Sequence, residues 1–319
     1  MEETKDRLIY IDMVKGFSMI CIILGHLFSR NYILQCIVCS FHVPIYYIVS
    51  GILMNYHENK KGKEKLLKTI ESTIKNLIIP YIFFSIIAIL YMAVQSNFNY
   101  EYILKAIMIT IKLGGIGALW FIPTLVIAKF IFATIFKIKN RPMQIIVIVI
   151  ITLIFFIQPQ LPTRNMEFVL YRSFAGVLFM AIGYYCGGKI QKMKVPTVIL
   201  IIALALAFFI ACYNGPLALY TLTNCTILSL FLAVVISFCI ILLFQKIPNK
   251  KILSMIGKNS LIILGTHQML SLIVLNLLNQ VPIIEKIILF TVIFGVMQFG
   301  VVYICNKYFP FLIREIPKK

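Results

Sequence analysis

The chain has 319 residues, of which 61% are hydrophobic and 13% charged, with a formal net charge of +19 and a mean hydropathy of +0.96. Soluble domains are about half apolar and about a quarter charged, so this composition excludes an ordinary soluble domain and demands an all-α, polytopic membrane protein. Its lysines and arginines sit in short clusters between apolar runs, with no basic stripe of interleaved aromatics. That pattern excludes nucleic acid as a partner and reads as a topology signal.

A helix needs about 20 apolar residues to cross the hydrocarbon. Ten segments satisfy this, at 9–29, 33–54, 76–96, 118–136, 143–158, 168–187, 196–213, 221–244, 259–278 and 286–305. The acidic start of the chain, with no small-residue cleavage site behind the first span, predicts that this span is retained. The stretch 99–117 is amphipathic and ends in Gly114, Gly115 and Gly117, which predicts a surface or re-entrant piece. The polar segment 55–75 is too short for a separate domain, and no internal repeat is visible, so residues 1–319 form one membrane domain.

Orientation follows from the basic loops. Lys15 and Arg7, the lysines of 60–75, Lys137 to Arg141, Lys189 to Lys194, Lys246 to Lys258, and Arg314, Lys318 and Lys319 fall on one side. Only scattered charges such as Arg30, Lys105, Lys112, Arg164 and Lys286 fall on the other, so both termini are expected to be cytoplasmic.

The first two spans carry the chemistry. Ionisable groups in hydrocarbon are costly and mark function by default, and this hairpin holds Asp12, Lys15, His26 and His42. Asp12 and Lys15, three apart, share a helix face, as an ion pair at the cytoplasmic mouth or as part of a site. His26 lies fourteen residues beyond Asp12, about 21 Å along the axis, so Asp12 cannot orient its ring. A neutral imidazole titrates close enough to working pH to take a proton from a hydroxyl. His42 precedes Pro44, which breaks or kinks the second span, and irregular backbone at membrane depth is tolerated where it lines a cavity. With the second helix starting near residue 33, His42 is expected about 10 Å deeper than His26.

Further along, Trp120 reads as an interfacial anchor and His267 as a core or substrate-facing histidine. No metal-ligand spacing accompanies the histidines, so no metal is expected. The eight cysteines, including Cys36 and Cys39, read as small apolar residues. No P-loop, dinucleotide fingerprint or nucleophile elbow is present.

Five pieces in order carry a resemblance: RLIYIDMVKG with LGH behind it, FHVPIYYIVSG, LIIPY (77–81), LWFIP (119–123) and IGKNSLIILGTH (256–267). Together they resemble the integral-membrane acyltransferase-three family, and within it the sugar O-acetylase branch, similar to fucose 4-O-acetylases. The resemblance implies a ten-helix enzyme of the bacterial inner membrane. It would take acetyl from acetyl-CoA, the acyl-CoA donor, and pass it to a hydroxyl of a carbohydrate or lipid-linked glycan among the membrane lipids. It implies His26 as the catalytic histidine, Lys15 as its basic partner where the family commonly has arginine, Asp12 as the acidic position and His42 as the second-motif histidine. Lys15 with Lys68 or Lys75 is expected to attract the CoA phosphates; Trp120, His267 and Asn259 are expected to face the substrate. A transporter or flippase of a polyprenyl-linked glycan is the rival reading, and such proteins favour inverted repeats, of which this sequence shows none.

Overall fold

The computed structural model describes residues 8–157 and 166–312; Arg7, Arg164, Arg314, Lys318 and Lys319 lie outside them. Among the described residues the chain is helical, with one isolated bridge between Ala218 and Thr223 and no strand. Among the described residues nine helices are long and apolar enough to cross a membrane, and the apolar Arg141–Phe156 is a shorter tenth. Each of the ten predicted segments overlaps helix among the described residues.

The first span is α1 (Ile9–Leu27). The second is not one helix but two, α2 (Tyr32–Cys39) and α3 (Pro44–Lys61). Pro44 has no N–H and its ring displaces the carbonyl four residues back. The chain therefore turns through Ser40–Val43, and the backbone N–H of His42 falls on the Val38 carbonyl at 3.1 Å.

The polar 55–75 stretch, read as a loop, is mostly helix. Gly62, at φ +80°, is the single hinge between α3 and the 33-residue α4 (Lys63–Gln95). Asn99 caps α5 (Tyr100–Ile111) by accepting from the N–H groups of Glu101 and Tyr102. The glycine-rich tail then turns back into the bundle as a short 3-10 turn, Gly117–Trp120, ahead of α6 (Phe121–Lys137). α7 (Arg141–Phe156), α8 (Met166–Ile190), α9 (Thr197–Asn214) and α10 (Ile227–Lys246) follow. The predicted eighth span starts six residues late, because 215–226 is a loop whose Leu217 and Leu219 are buried. The basic stretch after α10 is also helical, as α11 (Lys251–Lys258), before α12 (Ser260–Leu277) and α13 (Ile283–Tyr308).

α1 and α11 cross at backbone contact. A Cβ on Gly257 would collide with the Asp12 carbonyl oxygen, and one on Gly16 with the Leu253 carbonyl oxygen. Small residues at such a crossing let dispersion act between main chains, which is the main attraction left between helices in lipid. This crossing seats the IGKNS segment beside the foot of α1.

Candidate functional site

A cavity of about 530 Å³ runs between α1, α3, α4, α6 and α12. On α1 it is lined by Lys15, Met19, Ile22 and His26, a 4-3-4 spacing that places all four on one helix face. From Lys15 to His26 this stripe is about 16 Å long. α6 contributes Phe121, Leu125 and Lys129 in the opposite sense; Lys258 at the end of α11 and the junction residue Asn259 lead into α12, which lines the cavity from Ser260 to Gln268. Three lysines, Lys15, Lys129 and Lys258, thus gather at one end, with His26, Gln268 and the 3-10 turn at the other. No Asp or Glu is found among the described lining residues.

Both histidines of the first hairpin line this cavity. The second helix is broken at Pro44, and both rings open into the same chamber. The Nδ1 of His42 lies 2.7 Å from the Val38 carbonyl oxygen. A carbonyl only accepts, so Nδ1 carries the proton and the Nε2 lone pair is left for the cavity. Tyr46 Oη, on the same stretch of α3, donates to the Lys15 carbonyl at 2.8 Å and ties the broken span to α1.

His26 meets Gln268, whose Nε2 lies 3.1 and 3.2 Å from its two ring nitrogens. Gln268 is eight residues past the start of α12, with nine residues of that helix still to come. The His26 ring therefore lies well inside the bundle, although the residue sits in the last turn of α1.

Four predicted site residues do not line the cavity. Asp12 is 4% exposed, on the side of α1 that α11 crosses. Lys68 and Lys75 are exposed on α4, whose cavity face is Thr73 and Leu77. At 100° per residue, Lys75 points about 200° away from Thr73 and Lys68 about 140° away. His267 is fully buried, with Nδ1 donating to the carbonyls of Ile263 (2.9 Å) and Leu264 (3.1 Å). It backs His26, ring centroids 5.4 Å apart, and faces no open space.

Trp120 and Asn259 do line the cavity. Asn259 is held by the Met255 carbonyl (2.8 Å) and by the Nδ2 of Asn306 (3.1 Å). Trp120 is 9% exposed and is not an anchor at the lipid interface. The Arg172 guanidinium lies 5.0 Å from its ring centroid and 4.5 Å from those of Phe168 and Tyr220. Arg172, 1% exposed, also donates through Nη2 to the Tyr220 carbonyl. It thereby pins the 215–226 loop, whose residues 217–220 close the imidazole end of the cavity. Sequence reasoning missed Lys129, Lys258, Gln268 and this loop. Lys129 did carry a signal, as a lone charge within an apolar run.

Among the described residues no group of three or more His, Cys, Asp and Glu gathers that could hold a metal ion. A family model described as an acyltransferase domain matches residues 8–307 of the chain. No curated protein and no solved structure gives a match.

Proposed function

The chain belongs to the acyltransferase-three family of membrane acyltransferases, and from that premise we propose that it transfers an acetyl group from acetyl-CoA to a carbohydrate hydroxyl. The acceptor is a cell-surface or lipid-linked glycan, the membrane is the bacterial inner membrane, and the lysine-bearing mouth faces the cytoplasm. The last point rests on the basic loops, which fall on the side of Lys15. The sugar O-acetylase branch is carried by the FHVP and IGKNS pieces.

The observation that carries this reading is one cavity with lysines at one end and imidazoles about 16 Å away at the other. Three cations without a lining carboxylate suit a polyanionic donor, and the apolar stripe of Met19, Ile22, Leu77 and Leu125 suits the arm that carries its thioester. Lys15, Lys129 and Lys258 take the CoA phosphates in place of Lys68 and Lys75.

At the far end, a ring nitrogen of His26 takes the proton of the acceptor hydroxyl as its oxygen attacks the thioester carbonyl. The new C–O bond forms, the C–S bond breaks, and the imidazolium returns the proton to the departing sulfur. The products are an acetate ester and free CoA thiol. His42, with its lone pair fixed at Nε2, gives that proton a second acceptor beside the reacting atoms.

His26→Ala tests the reading in membrane vesicles supplied with acetyl-CoA. Loss of a general base removes about 10²- to 10⁴-fold of the rate, so glycan mass spectra should lack the acetyl increment that the wild type adds. A fully active, folded His26→Ala enzyme overturns the reading. The transporter alternative draws no support from the family or from the cavity.

A further inference from the structure

We propose that Gln268 is a positioning residue that holds the His26 ring for proton transfer and ties it to the 3-10 turn at the end of the cavity. The inference rests on the role given to His26 above.

The orientation of the amide can be read from its partners. The backbone N–H of Ala118 lies 2.8 Å from one end of the Gln268 amide, and an N–H can only donate. That end is therefore the carbonyl oxygen, and the end facing His26 is the NH2 group. Gln268 thus offers His26 donors only. A neutral imidazole has one lone pair and one N–H, so only the lone-pair nitrogen can receive this bond.

The distances to the two ring nitrogens, 3.1 and 3.2 Å, are nearly equal. The two in-plane nitrogen positions diverge, so an amide nitrogen equidistant from both sits over the ring edge between them, and a tilt of the ring or a short shift of the amide is needed to bring it onto whichever nitrogen is unprotonated. Gln268 can thereby serve either neutral tautomer, before the ring takes a proton and after it gives one up. Among the described lining residues no carboxylate is present to do this work: Asp12 lies outside the cavity, and the ring behind His26 is another imidazole, His267.

The other half of the clamp is built by the glycines before Trp120. Gly117 sits at φ +56°, and a Cβ there would collide with the Gln268 carbonyl oxygen. Only glycine adopts this backbone readily while leaving space for the amide. The turn that carries Ala118 and Trp120 is thereby set at a constant distance from His26. A single side chain registers the histidine against the wall that closes the chamber.

The test separates positioning from packing. Gln268→Leu keeps the volume and removes both hydrogen bonds. Its kcat should fall about 10- to 100-fold, as a misplaced reacting group does, while the KM for acetyl-CoA stays within about twofold and the detergent melting temperature is kept. Gln268→Glu retains an oxygen for Ala118 but replaces the donors at His26, and it should share the loss of kcat. A Glu variant of wild-type kcat would mean that the side chain only braces the turn.

Nitrogen NMR of histidine-labelled wild-type protein gives a check that needs no variant at position 268. The unprotonated nitrogen of His26, assigned by its absence in His26→Ala, should show the displacement of an accepted hydrogen bond. A resonance without that displacement overturns the inference. If Gln268→Leu is fully active while His26→Ala is dead, Gln268 is dismissed and the proposed function stands. If His26→Ala is active, the proposed function itself has failed.

Discussion

Lys129→Met separates what the cavity needs for function from what the fold needs for stability. Lys129 is 9% exposed, lines the cavity and makes no hydrogen bond or ion pair with the described residues; Lys15 is the like charge that faces it. Taking an unpaired ammonium out of water costs several kcal/mol even after relaxation, and nothing in the empty cavity offsets this. The proposed donor would. A unit charge about 6 Å from a phosphate charge is worth about 3 kcal/mol at an effective dielectric of 20. Salt in a wet mouth cuts this to about half. A loss of about 1.4 kcal/mol of donor binding is a tenfold rise in KM. Methionine fills similar space without a charge, so the same change should stabilise the empty protein, raising its melting temperature by about 2–4 °C for each kcal/mol relieved. The assay is acetyl transfer at varied acetyl-CoA and salt, beside thermal unfolding in detergent. Wild-type KM should climb with ionic strength, and that of Lys129→Met should climb less. An unchanged KM, or a variant that melts earlier, refutes the assignment of this lysine to the donor.

The fold makes further claims that can be checked. Gly257→Val drives a side chain into the Asp12 carbonyl and should cost about 1–3 kcal/mol or more by overpacking. Gly295→Ala and Gly300→Ala, where an added Cβ meets nothing within 4 Å, should be neutral or stabilising by up to about 1 kcal/mol in the same melting assay. Pro44→Leu lets α2 run into α3 and removes the turn through Ser40–Val43 that sets where α3 and its Tyr46 meet α1. Transfer should drop by about 10-fold or more while the protein stays membrane-inserted, and unchanged activity would show that the break is not needed. Arg172→Met frees the Tyr220 carbonyl and should make the 215–226 loop cleavable by added protease. Arg172→Lys should fail to restore protection, because a point charge lacks the planar face that stacks between Trp120 and Tyr220.

Much of the architecture was legible because lipid imposes one rule, a long apolar run with its ends marked by charge. His26, Lys15 and Pro44 stood out for the same reason, since each violates that rule. What the sequence could not convey was helical phase. His267 and Gln268 are neighbours separated by about 100°, and that angle decides which one reaches His26 and which is buried. The histidine drew attention because it is ionisable; the neutral amide gave no such signal. Lys68 and Lys75 went astray through the same ambiguity. Asp12 lies three residues from Lys15 yet is not among the cavity-lining residues, and its backbone is in contact with Gly257. That contact depends on two glycines 241 positions apart, and no local pattern announces it.

The absence of a lining carboxylate among the described residues follows from the proposed donor. A histidine base is commonly steered by an aspartate, whose negative charge also favours the protonated ring. In this cavity such a group would share one passage with Lys15, Lys129 and Lys258, the residues proposed to bind the donor phosphates. It would pair with the lysines when the site is empty and repel the donor when it arrives. Neutral partners avoid both penalties: the Val38 carbonyl sets the tautomer of His42, and the Gln268 amide meets His26. His267 follows the same economy, since its Nδ1 also donates to a carbonyl one turn back, that of Ile263, and so fixes its tautomer without adding a charge to the membrane interior.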